Sequence, residues 1–157
     1  MKVFRQFYKD NKDKLFGYIL RRTGDYQLAA DTMQESFTRC LERYDKKEPS
    51  VALLFTIGRN LLADNARKQK MTVPFDEELH ARAHTPDPSL IREDSQLLLK
   101  AMAQLDQEDA DILALVTSSD LSYKEISRIS GISEANIKTK VHRTRLKLKK
   151  ILSAGEL

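Results

Sequence analysis

Cysteine is nearly missing from this chain: Cys40 is the only one in 157 residues, so no internal disulfide can form and packing must supply the stability. Its neighbours Phe37, Leu41 and Tyr44 lie at helical spacing, which places the thiol on an apolar face, buried and inert. Glycine is scarce, at five residues. No phosphate-cradling glycine loop, HExxH pair or catalytic dyad appears, so the common enzyme signatures are excluded and no cofactor is expected. No apolar run approaches the ~20 residues of a bilayer-spanning helix. The start, MKVFRQFYKDNKDK, mixes charge with aromatics where a signal peptide has a continuous apolar core. The expectation is a cytoplasmic protein without membrane insertion. Strand signals are scarce too, and helical periodicity recurs throughout, so the fold class expected is all-α.

What is present is most specific near the C-terminus, in LSYKEISRISGISEANIKTKVHRTRLKLKK, residues 121–150. Ser122 followed by Glu125 is a capping-box pattern, in which hydroxyl and carboxylate reciprocally satisfy amide donors at a helix start. Gly131 suits a left-handed turn, and Ser133 can cap the next helix. Ile126, Ile129, Ile132, Ile137 and Val141 can meet in a small core between the two helices. The second helix then presents cations outward, which predicts a DNA-binding helix-turn-helix. Glu134, Asn136, Lys138 and Thr139, at its N-terminal end, are the candidate base readers. Lys140, Arg143, Arg145 and Lys147 suit phosphates.

Charge is ordered along the chain. Residues 1–70 carry 15 Lys/Arg against 9 Asp/Glu, residues 71–111 carry 3 against 10, and residues 112–157 carry 9 against 4. That pattern suits two nucleic-acid-facing modules separated by a segment that nucleic acid repels. Prolines mark the separator: of four in the chain, Pro74, Pro86 and Pro88 interrupt MTVPFDEELHARAHTPDPS. The expected organisation is two small helical domains, 1–70 and 90–157, joined by a flexible linker over 71–89. His80 and His84 in that linker have no third ligand nearby to complete a metal site.

The C-terminal module should hold about four helices, one starting at Asp87-Pro88 and another capped by Asp106. The N-terminal module should hold one helix or a broken pair over 3–22, a stop and cap at Thr23-Gly24-Asp25, and a long helix to about Tyr44. A further helix should follow, with Pro49 at its N-terminus and Arg67, Lys68 and Lys70 gathered at its far end. On the second helix, Asp31, Gln34, Glu35 and Thr38 form a polar stripe opposite an apolar face.

Asp31-Thr-Met-Gln34-Glu35-Ser-Phe37, preceded by Arg21-Arg22-Thr23-Gly24-Asp25 and followed by Leu54-Phe55-Thr56-Ile57-Gly58-Arg59-Asn60-Leu61, resembles the second conserved region of bacterial sigma factors. The C-terminal module resembles the fourth. The two in this order, with only a short linker, resemble the extracytoplasmic-function (ECF) group. The resemblance implies a protein that binds core RNA polymerase, directs it to promoter DNA and helps open the duplex. It implies that Asp31, Gln34 and Glu35 dock on the polymerase clamp. Tyr44, Lys46, Lys47, Arg59, Asn60, Arg67 and Lys68 would meet the minus-ten element, and the helix-turn-helix the minus-thirty-five element. An anti-sigma factor clamping between the domains is a further implied partner. One departure is Ser50-Val51-Ala52-Leu53-Leu54 where many members carry Phe-x-x-Trp-Leu; the chain has no tryptophan, so aromatic stacking on a base is unavailable at that place. The alternative reading is a stand-alone helix-turn-helix regulator, which leaves the polar stripe and the basic first module without a role.

Overall fold

The computed structural model describes residues 2–43, 48–71 and 91–155. Seven helices and no strand occur among them: α1 Lys2–Thr23, α2 Tyr26–Glu42, α3 Val51–Met71, α4 Glu93–Ala103, α5 Gln107–Ser118, α6 Tyr123–Ser130 and α7 Glu134–Ser153. The all-α expectation holds. The linker over 71–89, its His80 and His84, and the helix start at Asp87-Pro88 fall almost wholly outside the described residues.

Helices α1, α2 and α3 form the N-terminal module around Leu15, Tyr18, Ile19, Leu54 and Phe55, all wholly buried. Burying each such side chain stabilises the fold by about 1.5–3 kcal/mol. Phe4, Phe7, Tyr8 and Phe37 extend this core as a chain of tilted and edge-on rings. Gly58 is needed where α3 crosses its neighbours, because an added Cβ would lie 3.2 Å from Leu15 Cδ1 and 3.3 Å from Ser36 Oγ. The first helix is continuous rather than a broken pair. Asp25 caps α2 by accepting from the Leu28 amide at 3.1 Å. The start of α3 differs from expectation: Pro49 lies outside it, and Ser50 caps it by accepting from the Leu53 amide at 3.1 Å. A side-chain oxygen can satisfy an unpaired amide, whereas proline only omits one, so the serine sets the boundary. Cys40 is buried, and desolvation pushes its thiol pKa up despite the nearby Arg43.

The C-terminal module consists of α4–α7. Asp106 does precede α5, but its carboxylate makes no cap bond, which corrects the capping role expected of it. At the other end of α5, Asp120 takes the left-handed turn (φ 58°), a conformation that a short polar side chain tolerates better than most. The capping box of α6 is complete, with Glu125 N donating to Ser122 Oγ at 3.1 Å and Ser122 N to Glu125 Oε1 at 3.2 Å. Gly131 ends α6 at φ 77°, and Ser133 Oγ accepts from Asn136 N to begin α7. Ile126, Ile137 and Val141 are buried, and Ile129, Ile132, Leu148 and Ile151 pack against them.

Thr144 is buried beside this core and its hydroxyl has no hydrogen-bond partner. An unsatisfied buried hydroxyl costs about 1–3 kcal/mol. Thr144→Val keeps the branched shape and removes that penalty, so it is expected to stabilise the protein by about 1 kcal/mol, read as a rise in the thermal unfolding midpoint.

The two modules are in contact. Helix α1 packs along α5 and touches α4, and α3 meets α6. Buried apolar residues of both modules belong to one continuous cluster, and ion pairs and hydrogen bonds also cross the contact between side chains far apart in sequence.

Candidate nucleic-acid interface

The turn chemistry at Gly131 and Ser133 fixes how α7 leaves the module. Its first turns expose Glu134, Asn136, Lys138 and Thr139, while Ile137 and Val141 point inward. This is the arrangement a recognition helix needs: an apolar stripe anchors it, and polar groups at its N-terminal end are free to meet base edges. Thr139 Oγ1 donates to the Ala135 carbonyl at 3.1 Å. Arg145 is exposed. Arg143 is largely exposed and lies 3.7 Å from Asp109.

Lys140 differs from the other phosphate candidates. Its ammonium sits 3.2 Å from Glu108 and 3.3 Å from Asp109. The hydrogen bond to Glu108 is the main cause raising its pKa above the ordinary lysine value, against the opposing effect of burial. Lys140 therefore ties α7 to the start of α5.

In the first module, α2 turns Asp31, Gln34 and Glu35 outward in one exposed stripe, as the spacing predicts. Each is held by a neighbour: Gln27 Nε2 donates to Asp31 at 2.9 Å, Gln34 Nε2 to Tyr8 Oη at 3.1 Å, and Arg39 Nε to Glu35 at 2.9 Å. Such bonds set the orientation of the side chains before any partner arrives, which lowers the entropy lost on binding. A groove of about 220 Å³ between α2 and α3 includes Asp31, Glu35, Asp64 and Lys68.

Asn60, Arg67 and Lys68 are exposed on α3, and Arg67 pairs with Asp64. Arg59 is turned towards the second module, with its Nε 2.8 Å from Asp111 Oδ2. Tyr44, Lys46 and Lys47 lie outside the described residues. The structure thus brings Asp31, Gln34 and Glu35 together on α2, Arg59, Asn60, Arg67 and Lys68 on α3, and the remaining candidates on α7.

Three residues that sequence reasoning missed occupy the junction. Asp111 is 3% exposed and accepts from Tyr18 Oη and Arg59 Nε. Arg22 Nε lies 3.1 Å from Asp111 Oδ1, but its N–H finds no acceptor. Burial, and then the charge of Asp111, push the Tyr18 hydroxyl pKa far above its ordinary value. Burial alone would lower the pKa of Arg59, but the charge and hydrogen bond of Asp111 outweigh it and raise the value. A cleft of about 590 Å³ opens beside them, lined by Arg22, Arg59, Asn60, Asn65, Gln69 and Asp111 among others. One signal was available: Asp111 interrupts the apolar run Ala110, Ile112, Leu113, Ala114, Leu115, where an acid is out of place unless partnered.

Two packed helical modules, one ending in a helix-turn-helix with a cationic recognition helix, define a two-domain DNA-binding protein. Comparison with known proteins gives its family. The family described as Sigma-70 region 2 matches residues 7–72, and Sigma-70, region 4 matches residues 95–148. The chain is 30% identical over 156 residues to the ECF RNA polymerase sigma factor SigM of Bacillus subtilis, covering 96% of this chain and 95% of that one. It is 29% identical over 147 residues to the ECF RNA polymerase sigma factor SigL of Mycobacterium tuberculosis, covering 89% and 83%. Among solved structures, the sigma factor RpoE in complex with the anti-sigma factor NepR from Bartonella quintana has a similar fold. The TM-score is 0.73 at 21% identity, over 99% of this chain and 100% of that one. CnrH in complex with the cytosolic domain of CnrY matches at a TM-score of 0.66 and 23% identity, over 98% and 89%. The chain belongs to the ECF RNA polymerase sigma factors, alternative sigma factors that direct RNA polymerase to promoters.

Proposed function

We propose that this sigma factor divides its work between the two modules: α2 docks on core polymerase through Asp31, Gln34 and Glu35, α3 with the loop before it engages the minus-ten element, and α7 reads the minus-thirty-five element. The exposed polar and cationic N-terminal half of α7, fixed by the completed caps at Ser122, Gly131 and Ser133, is the observation that carries this reading. Duplex reading needs a helix that fits a groove, and strand opening needs cations along a single-stranded backbone. Arg59, Asn60, Arg67 and Lys68 on α3, with Tyr44, Lys46 and Lys47 before it, supply the second requirement. The chain acts by binding rather than by catalysis. Among the described residues no helix is long and apolar enough to cross a membrane, and the cytoplasm is where its polymerase would be met. The solved complex of RpoE with NepR makes an anti-sigma factor a fitting additional partner.

The test is retention of core polymerase on immobilised promoter fragments, with and without the protein. The expected result is sequence-selective retention that requires both components. Selective binding of a duplex by the protein alone, with no effect of polymerase, would contradict the division of work.

A further inference from the structure

Asp109 stands in the first turn of α5 and is buried against α7. Its Oδ1 accepts from Lys140 Nζ at 3.3 Å and lies 3.7 Å from Arg143 Nη2. Glu108 Oε2 meets the same ammonium at 3.2 Å. Lys140 and Arg143 are three residues apart and flank the buried Val141, so one carboxylate reaches cations on either side of the apolar stripe that seats the helix. The Arg143 side chain is still 62% exposed, which leaves its guanidinium open to a phosphate. Asp109 itself lies too deep to meet DNA, and a negative charge behind a recognition helix repels phosphate on every duplex. What it contributes is therefore geometry rather than affinity.

We infer that Asp109 is a positioning residue for promoter reading: by holding Lys140 and Arg143, it sets the roll of α7 about its own axis and so the angle at which Asn136 and its neighbours meet base edges. The inference rests on the reading of α7 as the minus-thirty-five reader.

Apolar packing alone leaves that roll loosely determined. Ile137 and Val141 hold α7 on the module, but hydrophobic attraction is non-directional and tolerates a small rotation. A hydrogen bond to a base edge weakens steeply with misalignment. The ion pair supplies the missing direction, and it is little screened, because the Lys140 side chain is 20% exposed and that of Asp109 9%. Asn136 lies four residues before Lys140, one turn back on the same face, so a rotation that breaks the pair carries Asn136 with it. Lys140 thereby belongs to the support and not to the phosphate contacts. Its ammonium is shared by two carboxylates, and a phosphate would have to displace one of them.

The test uses holoenzyme, core polymerase with the full chain, on two labelled duplexes: a promoter fragment that it retains, and the same fragment with the minus-thirty-five element scrambled. The ratio of the two affinities measures reading, and the slope of log affinity against log salt counts phosphate contacts. Asp109→Asn is expected to lower the ratio about tenfold, the size of one lost base contact, while neither the affinity for the scrambled fragment nor the slope falls. Asp106→Asn removes an equal charge just before the same helix, where the carboxylate makes no cap bond, and should leave the ratio unchanged. A fall in both affinities and in the slope would show α7 merely come loose and would overturn positioning. So would a ratio that Asp109→Asn leaves intact while Asn136→Ala lowers it, with α7 still the reader. A ratio that no variant lowers, Asn136→Ala included, would overturn that reading and the inference with it. Lys140 keeps the test open should Asp109→Asn fold poorly. Lys140→Gln should lower the ratio with an unchanged slope, and Lys140→Arg, which keeps a cation opposite Asp109, should preserve it. A slope lower by about one in Lys140→Gln, with the ratio intact, would make Lys140 a phosphate contact and overturn the inference.

Discussion

Replacing Gln34 and Glu35 together by alanine is expected to weaken core-polymerase binding by about a hundredfold, on the basis that a central interface residue contributes about 2 kcal/mol or more and 1.4 kcal/mol is a factor of ten. Both side chains are exposed on α2, and neither belongs to the core formed by Phe37 and Cys40 on its opposite face. Helical content and thermal stability should therefore stay close to wild type. Gln34 and Glu35 are also pre-oriented by Tyr8 and Arg39. Tyr8→Phe removes one of these supports without touching the surface itself and should give a smaller loss of the same sign. Binding measured by native gel or light scattering decides the matter. Undiminished affinity in the double variant would remove α2 from the interface.

The second large effect is expected from α7. Arg143→Ala with Arg145→Ala should lower the slope of log affinity against log salt by about two, because each phosphate contact on duplex DNA releases close to one counterion. The loss should be nearly uniform across sequences. Asn136→Ala, by contrast, should relax selectivity at one base pair by about 1–3 kcal/mol with little change in the salt slope. Lys140→Ala should behave differently from both. Its ammonium is engaged by Glu108 and Asp109, so removing it strips Glu108 of this partner, leaves Asp109 with the longer 3.7 Å pair to Arg143 and loosens α7 on α5, which thermal unfolding would register. Equal salt slopes for the arginine variants and wild type would exclude those residues from the footprint.

The parts of the fold that were legible in the sequence are those written by local chemistry. Ser122 with Glu125, Gly131 and Ser133 each act on amides within a few residues, and each does what its type dictates. The stripe of Asp31, Gln34 and Glu35 was legible for the same reason, since helical spacing alone decides which residues share a face. Where the expectation rested on a proline it failed: Pro49 was expected at the start of α3, and the hydroxyl of Ser50 sets that boundary instead. Asp106 had the right residue type, but its carboxylate did not turn back onto the helix. The junction at Asp111 was illegible for a different reason. Asp111 lies 93 residues from Tyr18 and 52 from Arg59, and nothing periodic links positions on separate modules. What the sequence did offer was an acid inside an apolar run, which announces a partner without saying which one.

This chain gives core polymerase its promoter specificity. In vitro transcription from a pool of promoter fragments, with core polymerase and with or without the protein, tests it most directly. The predicted result is defined initiation that appears only when the protein is added, from templates sharing a minus-thirty-five and a minus-ten element. Core polymerase that binds the protein yet starts nowhere on such a pool, while the protein alone grips one duplex selectively, would contradict it.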